Sequence, residues 1–164
     1  NHEWGVTGKL DMSYFSEPAK GAVLWTQKAL HSDETGYLES FQLVHEDEKI
    51  TVVHGTLNMP EEFYYIFDVE DAYVTISYMK TPLCFVGHTH VPGIFASNHT
   101  KVDYIDSMNV RIDPDRKYLV NAGSIGQPRD GDPRASFAIY DDEELTVEIK
   151  RVEYDVKKED PIFL

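Results

Sequence analysis

Two short apolar runs in this chain each break off at histidine. Ile50-Thr51-Val52-Val53 ends at His54-Gly55, and Leu83-Cys84-Phe85-Val86 ends at Gly87-His88-Thr89-His90. Runs of four residues of this kind, bounded by turn formers, predict strands buried on both faces. Between them lies a helical segment. Asp68 is placed to cap it, Val69, Ala72, Tyr73, Ile76 and Met79 recur at helical spacing, and Pro82 stops it. Strand, helix, strand is the pattern of parallel strands joined by a covering helix. In such sheets ligands bind outside the carboxyl ends of the strands, so His54, His88 and His90 are predicted to project from two strand ends into one crevice. Neutral imidazole suits zinc, iron and related ions, and mixed nitrogen and oxygen sets suit manganese. Side chains at i and i+2 of an extended segment share a face, so His88 and His90 are expected to reach one metal position or two neighbouring ones. A lone His-x-His would be weak, and His54 alone reads equally well as a core histidine. Two strand-end sites in one chain favour metal.

The rest of the chain frames these runs. Ser16 and Pro18 open a helix that continues through Ala19, Ala22, Val23, Thr26 and Leu30, and Asp33 to Phe41 suits a second short one. Beyond His90 the pattern changes to short strand candidates at 94–96, 102–105, 110–112 and 117–120. They are followed by a hairpin of 135–140 and 145–152 around the acidic turn 141–144. Leu145, Val147 and Ile149 alternate with Thr146, Glu148 and Lys150, as a half-buried strand requires. The expectation is an α/β start and an all-β finish, packed as two sheets with helices outside. The final stretch, 157–164, reads as a tail or a truncated helix.

Bulk properties exclude several functions. At 164 residues the chain suits a single domain, 1–164. A net charge of −14, from 29 acidic and 15 basic residues, argues against gripping a nucleic-acid duplex or an anionic membrane. It leaves phosphate substrates open, because a bound metal reverses the local field. No apolar stretch approaches the roughly 20 residues of a membrane-spanning helix. With Cys84 as the one cysteine, no internal disulfide forms, and Cys84 reads as a small core residue. Lack of a disulfide framework and of a signal peptide fits a cytoplasmic protein.

Taken together, Asn1-His2-Glu3, His54-Gly55 and Gly87-His88-Thr89-His90 resemble, in order and in strand-end placement, the last three motifs of the calcineurin-like metallophosphoesterases. The stretch 121–141, Asn-Ala-Gly-Ser-Ile-Gly-Gln-Pro-Arg onward, is similar to the small bacterial and archaeal phosphodiesterase-like branch. The family's opening motifs, Asp-x-His and Gly-Asp-x-x-Asp, do not occur in these residues. The chain is therefore expected to be the C-terminal portion of a four-layer α/β/β/α metallophosphoesterase sandwich, beginning inside a motif, and these 164 residues alone are expected to be inactive.

The resemblance implies a phosphodiesterase or phosphatase that uses a hydroxide bridging two divalent ions, with manganese the first choice among manganese, iron, zinc, nickel and cobalt. It implies that Asn1, His54 and His88 complete one metal position and that His90 serves the other. His2 would sit beside the scissile phosphate and serve the leaving group, and Glu3 would either orient it or be a plain surface carboxylate. The glycine- and proline-rich loop 121–134 reads either as a connection into the hairpin or as a site wall. In the second case Ser124, Arg129 and Arg134 are candidates for the substrate phosphate, where a planar guanidinium suits. Tyr64, Tyr65 and Phe67 read first as packing and second as a nucleobase pocket. The expected partner is a small phosphoester, and oligomeric state is left open. Because some members of the family keep the fold and act as interaction subunits, as the retromer component does, a non-catalytic scaffold is the competing reading.

Overall fold

Strands β2 (Ile50–Val53) and β3 (Leu83–Val86) form where the apolar runs predict them, side by side and parallel, with Ile50 opposite Leu83. A third strand, β7 (Lys117–Asn121), runs parallel on the other side of β3, with Leu83 opposite Tyr118. These three are the centre of a six-stranded mixed sheet in the order β1-β2-β3-β7-β4-β5, completed by β1 (Val44–Glu46), β4 (Gly93–Ser97) and β5 (Val102–Ile105). A second, antiparallel sheet of β6 (Asn109–Arg111), β9 (Thr146–Val152) and β8 (Ala135–Asp141) has the order β6-β9-β8. This is a computed structural model that describes residues 1–98 and 100–156. The predicted tail at 157–164 lies outside the described residues.

Two apolar cores hold these layers. The first lies between the six-stranded sheet and helix α4 (Val69–Tyr78), where Ala72, Ile76 and Met79 meet Val53, Cys84, Val86, Phe95 and Leu119. The second lies between the two sheets, where Leu83, Ile94, Ala96 and Val120 meet Ile112, Val147 and Ile149. Each inner strand of the large sheet feeds both cores through its alternate side chains, which is why β4 is buried at all five positions. Burial pushes the Cys84 thiol up to about 12, so it stays protonated and serves packing. Helix α4 begins where Asp68 accepts a hydrogen bond from the Asp71 amide. At its other end Lys117 Nζ donates to the carbonyls of Ile76 (3.3 Å), which also accepts from the Met79 amide, and Met79 (2.6 Å), tying the helix end to β7.

The chain falls into two compact units, the one just described (Leu43–Tyr154) and a helical one built on Asn1–Gln42. The helical unit contains α1 (His2–Val6), α2 (Glu17–Ala29) and α3 (Ser32–Glu39). Gly5 gives α1 and α2 their close approach, because a Cβ there would stand 2.9 Å from the Phe15 ring and 3.3 Å from Val23. Gln27 on α2 ties the two helices by donating to the carbonyls of Gly5 and Val6, each at 3.1 Å.

Three differences from the sequence expectation have local causes. Tyr73 is exposed, because the inward stripe of α4 is Ala72, Thr75, Ile76 and Met79, and Tyr73 lies a further 100° or so round the helix. Val44–Glu46 is a strand where no strand is expected. The side chain of Asp47 accepts from the Lys49 and Ile50 amides, closing a turn that folds the acidic segment back onto β2 as an edge strand. Leu145 drops out of β9 because its φ is +54°, a turn conformation. Among the described residues no helix is long and apolar enough to cross a membrane.

Candidate functional site at the strand ends

Because β2, β3 and β7 are parallel neighbours, the residues that follow them emerge at one edge of the sheet. Ladder bonds continue one step beyond the strands. The Gly87 amide donates to the His54 carbonyl (3.0 Å), and the Ala122 amide to the Val86 carbonyl (3.1 Å). His54, Gly87-His88 and Asn121-Ala122 are thereby fixed side by side. The imidazoles of His54 and His88 meet, with Nε2 of the first 3.1 Å from Nδ1 of the second. That separation is a hydrogen bond, so the two nitrogens share one proton.

The segment carrying His88 and His90 is not extended. Both residues have positive φ, 65° and 61°, so the expected sharing of one strand face does not hold; the loop turns twice, and each ring is placed separately. His88 is buried and His90 is half-buried. On His90, Nδ1–H donates to the Gln127 carbonyl at 2.7 Å, which leaves the lone pair on Nε2. Hydrogen bonding of one ring nitrogen to a carbonyl, with the other left unprotonated, is how metal-ligating histidines are held. Burial pushes His88 down to about 4, with His90 and Arg129 acting in the same direction and a hydrogen bond to the Phe63 backbone opposing them. Burial also lowers His90, the Gln127 carbonyl opposing and Arg129 adding to it. Both rings are therefore neutral at pH 7, the form that binds a cation.

Asn121 braces this loop. It is buried, its amide donates to the Gly87 carbonyl and to Thr89 Oγ1, each at 2.8 Å, and its side-chain oxygen accepts from the Gly123 amide at 2.9 Å. Gly123 has a φ of +80°, and a Cβ on it would lie 2.6 Å from Ser136 Oγ, so no other residue fits. The loop 121–134 touches His90 twice, through the Gln127 carbonyl and through the Arg129 amide, which donates to the His90 carbonyl at 3.1 Å. Ser124 Oγ accepts from the Gln127 amide and so shapes the same turn.

The arginines differ. Arg129 is exposed and donates to the Gln127 side chain at 3.0 Å. Arg134 is committed to Asp132, with Nη2–Oδ2 at 2.6 Å and Nε–Oδ1 at 3.0 Å, and that pairing holds the Asp132 carboxyl well below its usual range. Arg151 pairs with Asp130 and donates to the Arg134 carbonyl, fastening the far end of the loop to β9.

What sequence reasoning assigned to packing, and the structure places at the site, is aromatic. Tyr65 stacks on His88 with centroids 4.0 Å apart and planes at 15°, and Phe67 stacks on Tyr65 at 5.2 Å and 15°. Phe63 meets both His54 and His88. Gly55 makes room for this segment, since a Cβ there would lie 2.8 Å from the Tyr64 carbonyl. The signal was present as an aromatic run, Phe63-Tyr64-Tyr65-Ile66-Phe67, immediately downstream of the first strand-end histidine.

In the helical unit, Asn1 is the N-cap of α1. His2 is exposed, its ring 5.9 Å from that of Phe15.

As donors to a metal, the residues of the sheet unit fit in part. Neutral, oriented imidazoles at adjacent strand ends have the chemistry of the nitrogen donors in a mixed site. Among the described residues, no group of three or more His, Cys, Asp or Glu side chains gathers as a full cage.

Comparison with known proteins places the fold. A metallophosphoesterase from Sphaerobacter thermophilus superposes with a TM-score of 0.81 at 34% identity, covering 99% of this chain and 67% of that one. The hypothetical protein PH1004 from Pyrococcus horikoshii shares the fold, with a TM-score of 0.70 at 19% identity over 98% of this chain and 63% of its own. The uncharacterized protein MJ0912 of Methanocaldococcus jannaschii is 37% identical over 162 residues, and the present chain spans 65% of its length. The family model of the calcineurin-like phosphoesterase superfamily domain matches residues 3–144, so this chain belongs to the calcineurin-like phosphoesterase superfamily.

Proposed function

We propose that the protein hydrolyses phosphodiesters or small phosphomonoesters at two divalent metal ions, manganese first among the first-row candidates. The observation that supports this most directly is the His54–His88 contact at 3.1 Å between the ends of adjacent parallel strands. Two imidazoles facing each other nitrogen to nitrogen are poorly used as structure, since one proton serves both, and well used as ligands that a cation separates.

In this reading Asn1, His54 and His88 complete one metal position and His90, through Nε2, serves the other. Bound there, the ions would supply activated water and neutralise charge on phosphate oxygens. The protein's own groups then do the positioning. The Gln127 carbonyl holds the proton on His90 Nδ1, Asn121 fixes the loop that carries both histidines, and Arg129 offers a guanidinium to phosphate. Ser124 and Arg134 shape the loop wall. His2 would give a proton to the leaving alkoxide, with Glu3 orienting its ring.

Substitution separates these roles. With the full-length protein, His54→Ala and His88→Ala are each expected to weaken manganese binding by at least about tenfold and to abolish hydrolysis of bis(p-nitrophenyl) phosphate, because a ligand is lost outright. His2→Ala is expected to keep its metal and lose turnover. Retention of both metal content and turnover in His54→Ala and His88→Ala would sink the proposal. Absence of turnover on any phosphoester in the manganese-loaded parent, together with a tightly held protein partner, would favour the scaffold.

A further inference from the structure

A cavity of about 250 Å³ opens beside the His88–His90 loop, lined by Phe67, Thr89, Val91, Pro92, Phe95 and Tyr104 among others. Two of its lining residues belong to the site's own loop and ring column. Thr89 lies between the two histidines, and Phe67 is the outer ring of the column Phe67–Tyr65–His88. Resting on the phosphoesterase reading, we propose that this cavity receives a flat aromatic group carried by the phosphoester, so that the enzyme selects substrates with an aromatic ring next to the phosphate.

Three observations carry this. The first is that the amide and hydroxyl nearest the histidines are already used. The Asn121 amide donates to Gly87 and Thr89, and Thr89 Oγ1 accepts from Asn121 and from the Val91 amide, so the walls present chiefly carbon and ring faces to whatever enters, with the Tyr104 hydroxyl among them. A group seated there is recognised mainly by apolar contact and stacking. The second is that the rings at the cavity are unusually open for their type, Phe67 at 68% exposed and Tyr104 at 51%. Large aromatic side chains left exposed together at a concave site mark a binding surface. Tyr104 stands directly on Gly93, where a Cβ would lie 3.0 Å from its ring, so the bare backbone of Gly93 sets the ring's place. The third is size, since pockets for whole drug-sized ligands begin near about 300 Å³. This one suits a single ring system attached to a phosphate held at the imidazoles.

The test uses the full-length protein and two pairs of probes. Adenosine and benzyl alcohol, which carry no phosphate, are titrated by NMR without metal. Both are expected to shift the resonances of Phe67, Thr89 and Tyr104, and Phe67→Ala is expected to weaken binding by about tenfold, the scale of one lost stacking partner. Tighter adenosine binding would identify a nucleobase as the natural ring, and equal binding an aryl ring in general. Benzyl phosphate and ethyl phosphate, whose leaving alcohols are similarly poor, are then compared with manganese. Phe67→Ala is expected to raise KM for the benzyl ester by about tenfold with little change in kcat, and to leave the ethyl ester alone. Phe67 is exposed, so its truncation does not threaten folding, and Tyr104→Ala provides a second variant with the same expected pattern. Absence of shifts with both ring probes, or equal KM for the two esters in parent and variants, overturns the inference while the phosphoesterase reading stands. Hydrolysis of neither ester nor of bis(p-nitrophenyl) phosphate, with ring binding that Phe67→Ala weakens, keeps the cavity assignment and removes the reading it was built on.

Discussion

Within the sheet unit, the core between the two sheets and the rim at the strand ends follow opposite rules. In the core, Leu83, Ile94, Val120 and Val147 are fully buried, alternate along regular strands and meet only apolar neighbours. At the rim, four of the five non-glycine residues with positive φ among the described residues are gathered, Met59 and Phe63 after β2 and His88 and His90 after β3. There, imidazoles face each other and aromatic rings stay exposed. Left-handed backbone at a non-glycine residue costs of order 1 kcal/mol or more and persists where the surroundings over-determine it. The core thus follows local preference along its strands, whereas the rim holds several residues in backbone that their side chains disfavour. Strain is concentrated where chemistry is proposed, and the regular core is what tolerates it.

That contrast breaks if the core proves as replaceable as the rim. Leu83→Ala removes a fully buried side chain from between the sheets and is expected to cost about 2–5 kcal/mol, read as a drop in thermal midpoint, through lost burial and the cavity left behind. Asn121→Ala tests the seam between the two regions. It strips the Gly123 amide of its partner and leaves the Gly87 carbonyl with the Thr89 amide alone, so a loss of about 1–3 kcal/mol is expected. Metal affinity should fall with it, because the loop carrying His88 and His90 loses its brace. A melting curve unchanged by Asn121→Ala would show that the loop is held by its own backbone.

The same division explains what was legible in the sequence. Strands β2, β3 and β5 begin and end where their apolar runs do, because burial on one or both faces writes a direct pattern. The histidines at 54 and 88 were legible as neighbours, since parallel pairing puts strand ends together. Their twisted loop was not, because positive φ at His88 and His90 follows from the tertiary bonds of Asn121 and Gln127, which lie more than thirty residues away in sequence. Arg134 was legible as a cation and illegible as a partner of Asp132, two residues earlier, because turn geometry decides which charges meet. Tyr65 and Phe67 looked like packing because nothing in an aromatic run says which ring will find an imidazole.

The smallest expected effect sharpens the comparison through pH. Burial holds His88 at about 4, below the value near 6.5 of a histidine in the unfolded chain. Above about pH 6.5 both states are neutral there and the group contributes nothing to pH dependence. Between 6.5 and 4 the unfolded chain takes up a proton that the folded chain refuses, so stability falls as the solution is acidified. The structural reason is visible at the rim. A second proton in the 3.1 Å contact leaves His88 Nδ1 and His54 Nε2 both protonated and facing each other, with little water to solvate the charge. In metal-free protein, His88→Gln removes this titration while the carboxylates and other histidines remain. Its thermal midpoint should therefore fall less than the parent's between pH 7 and 5, by about 2–4 °C, the shift expected for roughly 1 kcal/mol in a chain of this size. Parallel curves for parent and variant would mean that the folded rim accepts the proton freely. The imidazole contact would then be no more strained than a bond in the core.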